Sequence, residues 1–334
     1  MIFKNSPYRT RIIRRKRCRT LVADLMKEVR LTTVSECNIC GSKSKTILSN
    51  EDRYGIPVRT AMCDQCGLVY LLDRPGRDGY ETIYAKYYRP LVSAYWGRKV
   101  DNKHLVQHQA GFTDKLLRMF DGILDLQNAG TLLDIGGSTG MIAHKLASTY
   151  GLEATVLDPS DEELAVAREK GLKTVCGFIE DYQTSDTFDL ILFLQTIDHV
   201  YDLKATLGHI SQLLKEDGYF VIDTVNLPSV IADNTGVDQF FKTDHCYYFT
   251  PQFARAVLEA SGFEIVSSDI ATWPGHEMFI CRKKGAFQAE KTHVDTDMAR
   301  LRFIEMVEHQ FYLETTAKDK IIGILARLKK KLLR

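Results

Sequence analysis

From Thr131 onwards, short apolar runs alternate with stretches in which apolar residues recur every three or four positions. The runs predict buried strands and the recurring positions predict amphipathic helices, an alternation typical of a parallel sheet covered on both faces. Strands are expected at residues 131–135, 154–158, 173–177, 188–195 and 219–225, with a final pair at 263–271 and 277–282. Helices are also expected earlier in the chain, at 12–29 and from 102 to about 124.

The first of these strands runs into a turn of small residues, Gly136-Gly-Ser-Thr-Gly140, followed by a helical stretch at 141–150. Glycine lets a backbone approach a ligand closely, and the free N–H groups of a helix start bind carboxylate or hydroxyl oxygens. A dinucleotide fingerprint, G-x-G-x-x-G, would need a glycine in place of Ile135, so this class of cofactor is excluded.

Two acidic residues accompany the turn. Asp134 stands two positions before the first glycine, and Asp158 ends the next expected strand. This pair suits S-adenosylmethionine, because Asp134 can hold the loop and approach the methionine ammonium while Asp158 accepts both ribose hydroxyls. Gln195 and His199 follow the fourth strand, at the edge of the sheet where ligands bind, and we expect both to lie near the reacting methyl group.

On these residues the chain resembles the class I S-adenosylmethionine-dependent methyltransferases, over roughly residues 130–283. Their first motif is acid-x-Gly-x-Gly-x-Gly, and Ser138 replaces its middle glycine here. The resemblance implies an α/β fold with a Rossmann-like seven-stranded sheet, a reversed final hairpin, and Phe178 and Ile179 along the adenine ring. The predicted cofactor-binding residues are Asp134, Gly136, Gly137, Ser138, Thr139, Gly140, Asp158, Phe178, Ile179 and Gln195.

Composition adds a second module. The 334 residues, 45% of them hydrophobic, are enough for one large core and a smaller satellite. Four of the eight cysteines form two C-x-x-C-G knuckles, Cys37/Cys40 and Cys63/Cys66. Two such knuckles predict a four-cysteine zinc ribbon with structural zinc, because four thiolates leave no coordination position for a substrate. Thiols in this pattern indicate a reducing compartment, and no run of 18 apolar residues is present, so we expect a cytoplasmic protein.

Both ends of the chain are basic. Residues 1–30 contain ten Lys or Arg and two Asp or Glu. Our first interpretation of this arm is a solvated basic helix. The alternatives are contact with the inner face of an anionic membrane and contact with nucleic acid. The basic amphipathic C-terminal tail has three interpretations: docking on the protein, which we favour, pairing with another subunit as an oligomer, or contact with an anionic bilayer.

Between the zinc ribbon and the core lies a stretch rich in tyrosine, from Tyr80 to Trp96. It serves equally well as packing between modules or as a lid over a ring-shaped polar substrate. The sequence thus divides into five predicted parts: the basic arm (1–33), the zinc ribbon (34–78), an aromatic and helical lid and connector (79–128), the class I core (129–284) and C-terminal amphipathic helices (285–334).

The alternation breaks between residues 226 and 248, which favours substrate contacts there. His245 and the neighbouring Asp244 lie in this segment, and we predict that they form a catalytic dyad with His245 as general base. His199 is the alternative base. Each histidine also has a purely structural interpretation.

The combination of zinc ribbon, class I core and the Asp244-His-Cys-Tyr-Tyr-Phe249 segment resembles two groups of enzymes. One comprises methyltransferases of bacterial surface-polysaccharide and lipopolysaccharide clusters. The other comprises C-methyltransferases of deoxysugar pathways, which carry Glu-His-x-x-Tyr-Phe, whereas position 244 is Asp here. The resemblance implies O-methylation of a sugar hydroxyl on a cell-surface glycan, lipid-linked or as its nucleotide-sugar precursor, with C-methylation of a keto-deoxysugar as the alternative.

Two other functions compete. The zinc ribbon and the basic arm are compatible with RNA methylation. Enzymes that methylate base amines carry Asn/Asp-Pro-Pro-aromatic after the fourth strand, whereas this chain has Gln195-Thr-Ile-Asp198, so no specific nucleic-acid partner is expected. A non-catalytic scaffold is the other alternative, and the presence of Asp134, Gly136 and Asp158 argues against it.

Overall fold

A computed structural model describes residues 7–100, 102–120, 122–232, 240–269 and 275–285. The predicted C-terminal helices at 285–334 and the first six residues of the basic arm lie outside these ranges, apart from Gly285 itself.

A seven-stranded sheet forms the centre of the protein. Its order is β12-β13-β10-β9-β6-β7-β8, in which β8, β7, β6, β9 and β10 are parallel and β13 is antiparallel to both of its neighbours. The strands are β6 (Thr131–Ile135), β7 (Glu153–Asp158), β8 (Lys173–Cys176), β9 (Phe188–Phe193), β10 (Leu214–Val225), β12 (Phe263–Asp269) and β13 (His276–Lys283). This is the predicted sheet with its reversed final hairpin. All expected strands are present, and only β10 departs by more than two residues, because it begins before Gly218 with a shift in register.

Helices cover both faces of this sheet. The helices are α4 (Asn102–Phe120), α5 (Met141–Tyr150), α6 (Asp161–Glu169), α7 (Leu203–Leu213), α8 (Leu227–Ala232) and α9 (Pro251–Ala260). Successive strand residues point to opposite sides, so Leu132 packs with α4, α5 and α6 while Leu133 belongs to the core that contains α7 and α9. Side chains of Ser160, Asp202 and Thr250 cap the starts of α6, α7 and α9.

The N-terminal module consists of two small sheets. In one, β1 (Leu31–Thr33) pairs with β5 (Asp73–Pro75). In the other, β2 (Lys45–Ser49), β3 (Thr60–Cys63) and β4 (Val69–Leu71) are followed by β11 (Tyr247–Tyr248). Strand β11 belongs to the segment predicted to carry catalytic residues, so the module receives its last strand from the core part of the chain. One continuous hydrophobic cluster accordingly joins the module to the α7 and α9 face of the central sheet.

The basic arm is a docked helix, α1 (Pro7–Glu28), and this corrects the interpretation of it as solvated. Cys18 and Leu25 are fully buried on its inner face. Arg15 forms an ion pair with Glu51 and donates to the Asp52 carbonyl at 2.6 Å. Part of the positive charge of the arm therefore attaches the helix to the module.

The tyrosine-rich stretch forms α2 (Arg77–Thr82), a π-helix (Ile83–Tyr87) and α3 (Tyr88–Trp96). Tyr80, Tyr87 and Tyr95 are buried. Among the described residues, no helix has both the length and the apolar character needed to cross a membrane.

Candidate functional site

The turn after β6 is compact because its neighbours leave no room for side chains. A Cβ on Gly136, whose φ is +71°, would collide with Thr196, and a Cβ on Gly137 would lie 2.6 Å from the Asp134 carboxyl carbon. The close neighbours of these glycines are thus residues of the chain itself. Their contact with Thr196 places the turn directly beside the segment that follows β9.

Asp134 and Asp158 both lie at this turn and both are buried. Burial and the nearby Asp158 raise the pKa of Asp134 to about 7, and burial raises that of Asp158 to about 6. Oδ2 of Asp134 has no hydrogen-bond partner among the described residues. A buried carboxylate oxygen without a partner fits a site for a cationic group such as the ammonium of S-adenosylmethionine.

Ser138, which replaces the middle glycine of the motif, has a left-handed backbone of the kind that favours glycine. Its φ is +53°, and its N–H donates to Oδ2 of Asp158 at 3.0 Å. The buried Ser138 hydroxyl has no partner in the described part of the chain. Thr139 is fully buried, and its carbonyl accepts from Lys170 at 2.9 Å. Ser138 therefore offers a polar atom at the turn, whereas Thr139 and Lys170 fix its shape.

The residues predicted to line the adenine both follow β8, and Gln195 follows β9. Ile179 is buried and Phe178 is half-buried, directly after β8. The Gln195 side chain is exposed, and its backbone is left-handed with φ +53°. The Gln195 N–H donates to Asp223, whose other oxygen pairs with His276 at 2.7 Å. Asp223 and His276 were not predicted from the sequence, since they are distant along the chain and follow no recognised spacing.

A cluster of Asp198, His199 and His245 lies at the same edge of the sheet. The short helix Ile197–His199 begins directly after Thr196 and is separated from the end of β9 by three residues. The rings of His199 and His245 are 4.4 Å apart, and Nδ1 of His245 contacts Oδ2 of Asp198. The N–H of Cys246 also donates to the Asp198 carbonyl at 2.7 Å, which fixes the two segments together.

The protonation of this cluster follows from its burial. Desolvation lowers the pKa of His245 to about 4, although Asp198 acts in the opposite direction. Burial alone would raise the pKa of Asp198, but the two histidines hold it well below its usual range. His245 is therefore neutral near pH 7, donates its Nδ1–H to ionised Asp198 and keeps a lone pair on Nε2. That Nε2 atom is buried and without a hydrogen-bond partner within the described residues.

The structure changes the partner expected for His245. Oδ2 of Asp244 lies 3.6 Å from His245 Nε2 and makes no hydrogen bond to it, so Asp198 is the closer carboxylate. Burial would raise the pKa of Asp244, but Lys242, His245 and Arg53 contribute to a net decrease. Asp198 was missed as the partner, although its position next to His199 in the sequence was a usable signal.

The tyrosine-rich stretch reaches this cluster. The hydroxyl of Tyr84 lies 2.7 Å from Nδ1 of His199. Farther along, Arg89 forms an ion pair with Glu163 in the first turn of α6, beside the turn that holds Asp158. The stretch therefore packs between modules and also contributes Tyr84 to the candidate site. A role as a lid over a substrate stays a prediction.

The four knuckle cysteines converge in the N-terminal module. The sulfurs of Cys37, Cys40, Cys63 and Cys66 all lie within 4.8 Å of one another. Gly41 and Gly67, which follow the knuckles, are left-handed with φ of +72° and +77°, and their N–H groups donate to the carbonyls of Cys37 and Cys63. Four converging sulfurs on matching turns fit a tetrahedral metal ion.

Comparisons with known proteins agree with this architecture. Residues 103–268 match a family model described as a methyltransferase domain. A ubiquinone biosynthesis O-methyltransferase from Paramagnetospirillum magneticum is 33% identical over 132 residues, which cover 37% of this chain and 49% of that protein. The C-methyltransferase NovU from Streptomyces niveus is 22% identical over 271 residues, 74% of this chain and 60% of that protein.

Among solved structures, the 1,6-didemethyltoxoflavin-N1-methyltransferase from Burkholderia thailandensis aligns with a TM-score of 0.47 and 16% identity, over 68% of this chain and 96% of that one. The chain spans about half the length of the first curated relatives that it matches. The sheet order, the acidic glycine-rich turn and the family match identify residues 103–268 as a methyltransferase domain of the class I, S-adenosylmethionine-dependent type.

Proposed function

We propose that the protein is an S-adenosylmethionine-dependent methyltransferase that O-methylates a sugar hydroxyl of a bacterial cell-surface glycan or of its nucleotide-sugar precursor. Asp134, the turn 136–140 and Asp158 would hold the cofactor, with Phe178, Ile179 and Gln195 beside it. The bound cofactor supplies an activated methyl group, so the chain itself must position the acceptor, exclude water and accept a proton.

The observation that carries this proposal is the state of His245. A neutral imidazole whose Nδ1–H is donated to Asp198 has its basic lone pair on Nε2, and this atom has no partner in the part of the chain described. An acceptor hydroxyl becomes a competent nucleophile when Nε2 takes its proton. Asp198 then stabilises the resulting imidazolium and fixes the orientation of the ring.

The surroundings of His245 support a sugar acceptor. The aromatic ring of Tyr248 stacks at 5.9 Å from that of His245. The ring of Tyr84, whose hydroxyl lies beside His199, is 5.5 Å from that of Tyr88. Aromatic faces pack against sugar rings, and hydroxyl groups bond to their substituents. The resemblance to surface-polysaccharide methyltransferases points to the same acceptor class.

C-methylation of a nucleotide-linked keto-deoxysugar is the second candidate. The alignment with a C-methyltransferase covers 74% of the chain, whereas that with the ubiquinone O-methyltransferase covers 37%. The same Nε2 atom serves this reaction, because removal of a proton from the carbon next to a ketone also requires a base.

We further propose that the four cysteines hold one structural zinc ion. Four thiolates fill a tetrahedron, so a metal there stabilises the turns of the module and leaves no position for substrate. Between Cys37 and Cys40 the module contacts the core. Asn38 accepts a hydrogen bond from the Lys204 N–H and donates one to Asp202, both at 3.0 Å.

One experiment separates these reactions. Purified protein is incubated with methyl-labelled S-adenosylmethionine and, in parallel, with nucleotide sugars, nucleotide keto-deoxysugars, lipid-linked glycan or RNA, and the products are analysed by mass spectrometry and NMR. A methyl ether on a sugar supports the first proposal, and a new carbon–carbon bond supports the second. Label found only in RNA would overturn both.

A further inference from the structure

Exposed apolar side chains are concentrated at one end of the protein. Among the described residues, five large hydrophobic side chains are exposed: Ile12, Ile13, Ile47, Trp96 and Val266. Three of the five, Ile12, Ile13 and Trp96, belong to α1 and α3, two helices that pack against each other, and have exposed fractions of 50%, 42% and 46%. Single exposed apolar residues are ordinary, but three in one place indicate an interaction surface.

Two arginines hold these helices side by side. The guanidinium of Arg14 lies 4.5 Å from the centre of the Trp96 ring and donates to the Tyr95 hydroxyl at 3.4 Å. The guanidinium of Arg17 lies against Gly97, at the end of α3. The part of α1 that directly follows Ile12 and Ile13 is therefore fixed next to Trp96.

Positive charge surrounds the three apolar side chains. Exposed cations at this end are Lys16, Arg17, Arg19, Arg98 and Lys99. The sequence of α1 contains no acidic residue before Asp24. We call the three apolar side chains and these five cations the basic apolar patch.

We propose that the basic apolar patch binds the surface of an anionic phospholipid bilayer. Lys and Arg are attracted to anionic headgroups, while isoleucine and tryptophan enter the interface between headgroups and acyl chains. RNA fits less well: Arg14 already covers a face of the Trp96 ring, and the isoleucines offer no face for base stacking. The inference does not depend on the proposed reaction, but it would bring the enzyme to acceptors carried on a lipid.

The test uses the full chain in a sedimentation assay with vesicles of phosphatidylcholine alone or with 30% phosphatidylglycerol as the probe. We expect binding only to the anionic vesicles, and we expect it to be lost in high salt, which screens the charges. The double variants Lys16→Glu/Arg19→Glu and Ile12→Ser/Ile13→Ser should each bind at least about tenfold more weakly.

Matched control variants make the same changes of charge and hydrophobicity at surface positions outside the basic apolar patch. Ile47→Ser/Val266→Ser removes the other two exposed apolar side chains, and Arg118→Glu/Lys145→Glu reverses two exposed charges on α4 and α5. Both controls should bind as the unmodified chain does. Since the chain has two tryptophans, a Trp273→Phe background leaves Trp96 as the fluorophore, and its emission should shift to the blue on anionic vesicles.

Four outcomes would overturn the proposal. They are equal sedimentation with both vesicle types, patch variants that bind like the controls, an unchanged Trp96 emission, and patch variants that lose binding to a labelled single-stranded RNA while keeping vesicle binding. Folding of every variant is verified by circular dichroism melting, and methyl transfer to soluble acceptors gives a separate readout that the patch variants should leave unchanged.

Discussion

Two groups of side chains in this protein bring metal-binding atoms together, and they differ in what else those atoms contact. In the N-terminal module, the sulfurs of Cys37, Cys40, Cys63 and Cys66 have one another as their near neighbours. In the cluster of Asp198, His199 and His245, the ligand atoms also lie within 4.8 Å of one another. There, however, Nδ1 of His245 faces Asp198 and Nδ1 of His199 faces Tyr84.

The difference teaches that convergence of ligand atoms alone does not define a metal site. Four thiols gain little from one another as hydrogen-bond partners, so a metal ion is the natural occupant of their centre. Nδ1 of each histidine already has a partner, and the Asp198 carboxylate fixes the tautomer of His245, which suits a site that moves protons. We therefore propose metal binding for the first group and proton transfer for the second.

The largest expected effect comes from the double variant Cys63→Ser/Cys66→Ser. Structural zinc provides about 10–16 kcal/mol of apparent binding free energy in small zinc modules, so its loss should unfold the module. Mass spectrometry of metals should find one zinc per unmodified chain and almost none in the variant, with a lower melting temperature. The exposed Cys176 supplies the control Cys176→Ser, which should retain zinc. A second metal ion that disappears in Asp198→Asn would contradict the distinction between the two groups.

Next in size is His245→Ala. Since a general base contributes about 100- to 10,000-fold, methyl transfer should fall by that factor. Calorimetric affinity for S-adenosylmethionine should change by less than about twofold, because His245 is assigned to the acceptor side. The control is His144→Ala on α5, with expected turnover near that of the unmodified enzyme. Undiminished turnover in His245→Ala would transfer the role to His199 or remove the base from the mechanism.

The next prediction concerns Asp134, a buried acidic residue that belongs to neither of the two groups of side chains. Its pKa is raised to about 7, above the value of an unfolded chain, so ionisation destabilises the folded state as pH rises from about 4 to 7. Asp134→Asn should thus be more stable by about 2–4 kcal/mol at pH 8, with a difference near zero at pH 4. Denaturant unfolding at both pH values measures this, and calorimetry should show weaker cofactor binding. The exposed Asp217→Asn should show neither effect, and a pH-independent difference for Asp134→Asn would refute the assignment.

The smallest effect is expected where the two regions are joined. Asp52 of the module is fully buried, and its Oδ2 accepts from both the N–H and the hydroxyl of Thr243, at 3.1 and 2.8 Å. Thr243→Val should reduce the unfolding free energy by about 1–3 kcal/mol, because it leaves the carboxylate short of a donor. Thr206 is a matched control: its buried hydroxyl has no partner among the residues described, so Thr206→Val should be neutral or stabilising. Equal losses in the two variants would show that packing, and not the bond to Asp52, explains the effect.

The sequence was sufficient for the regular part of the fold. Alternating apolar runs located every strand of the central sheet, and helix starts are features of the same kind, such as those capped by Ser160 and Thr250. These features are local, since a strand or a cap is encoded within a few residues. The acidic turn around Asp134 was equally recognisable, because its short spacing is constrained by the backbone.

Contacts between distant segments were not predictable. Strand β11 pairs with β4, yet two tyrosines after a cysteine carry no periodic signal. The pairing of His245 with Asp198 and the approach of Tyr84 to His199 likewise depend on how three segments meet. The predicted neighbour Asp244 does lie 3.6 Å from Nε2 of His245, but the closer carboxylate is Asp198, which belongs to a distant segment.

Strand β11 is far along the chain from the other strands of its sheet, and this has a consequence for biosynthesis. Thr243, at the start of that segment, is 191 residues from the Asp52 that binds it. At about 5–20 residues per second, a ribosome needs about 10–40 s to cover this interval. During that time the nascent module presents the free edge of β4, the kind of edge that recruits strands from other chains. Cotranslational maturation of the N-terminal module therefore has to wait for the C-terminal half of the polypeptide.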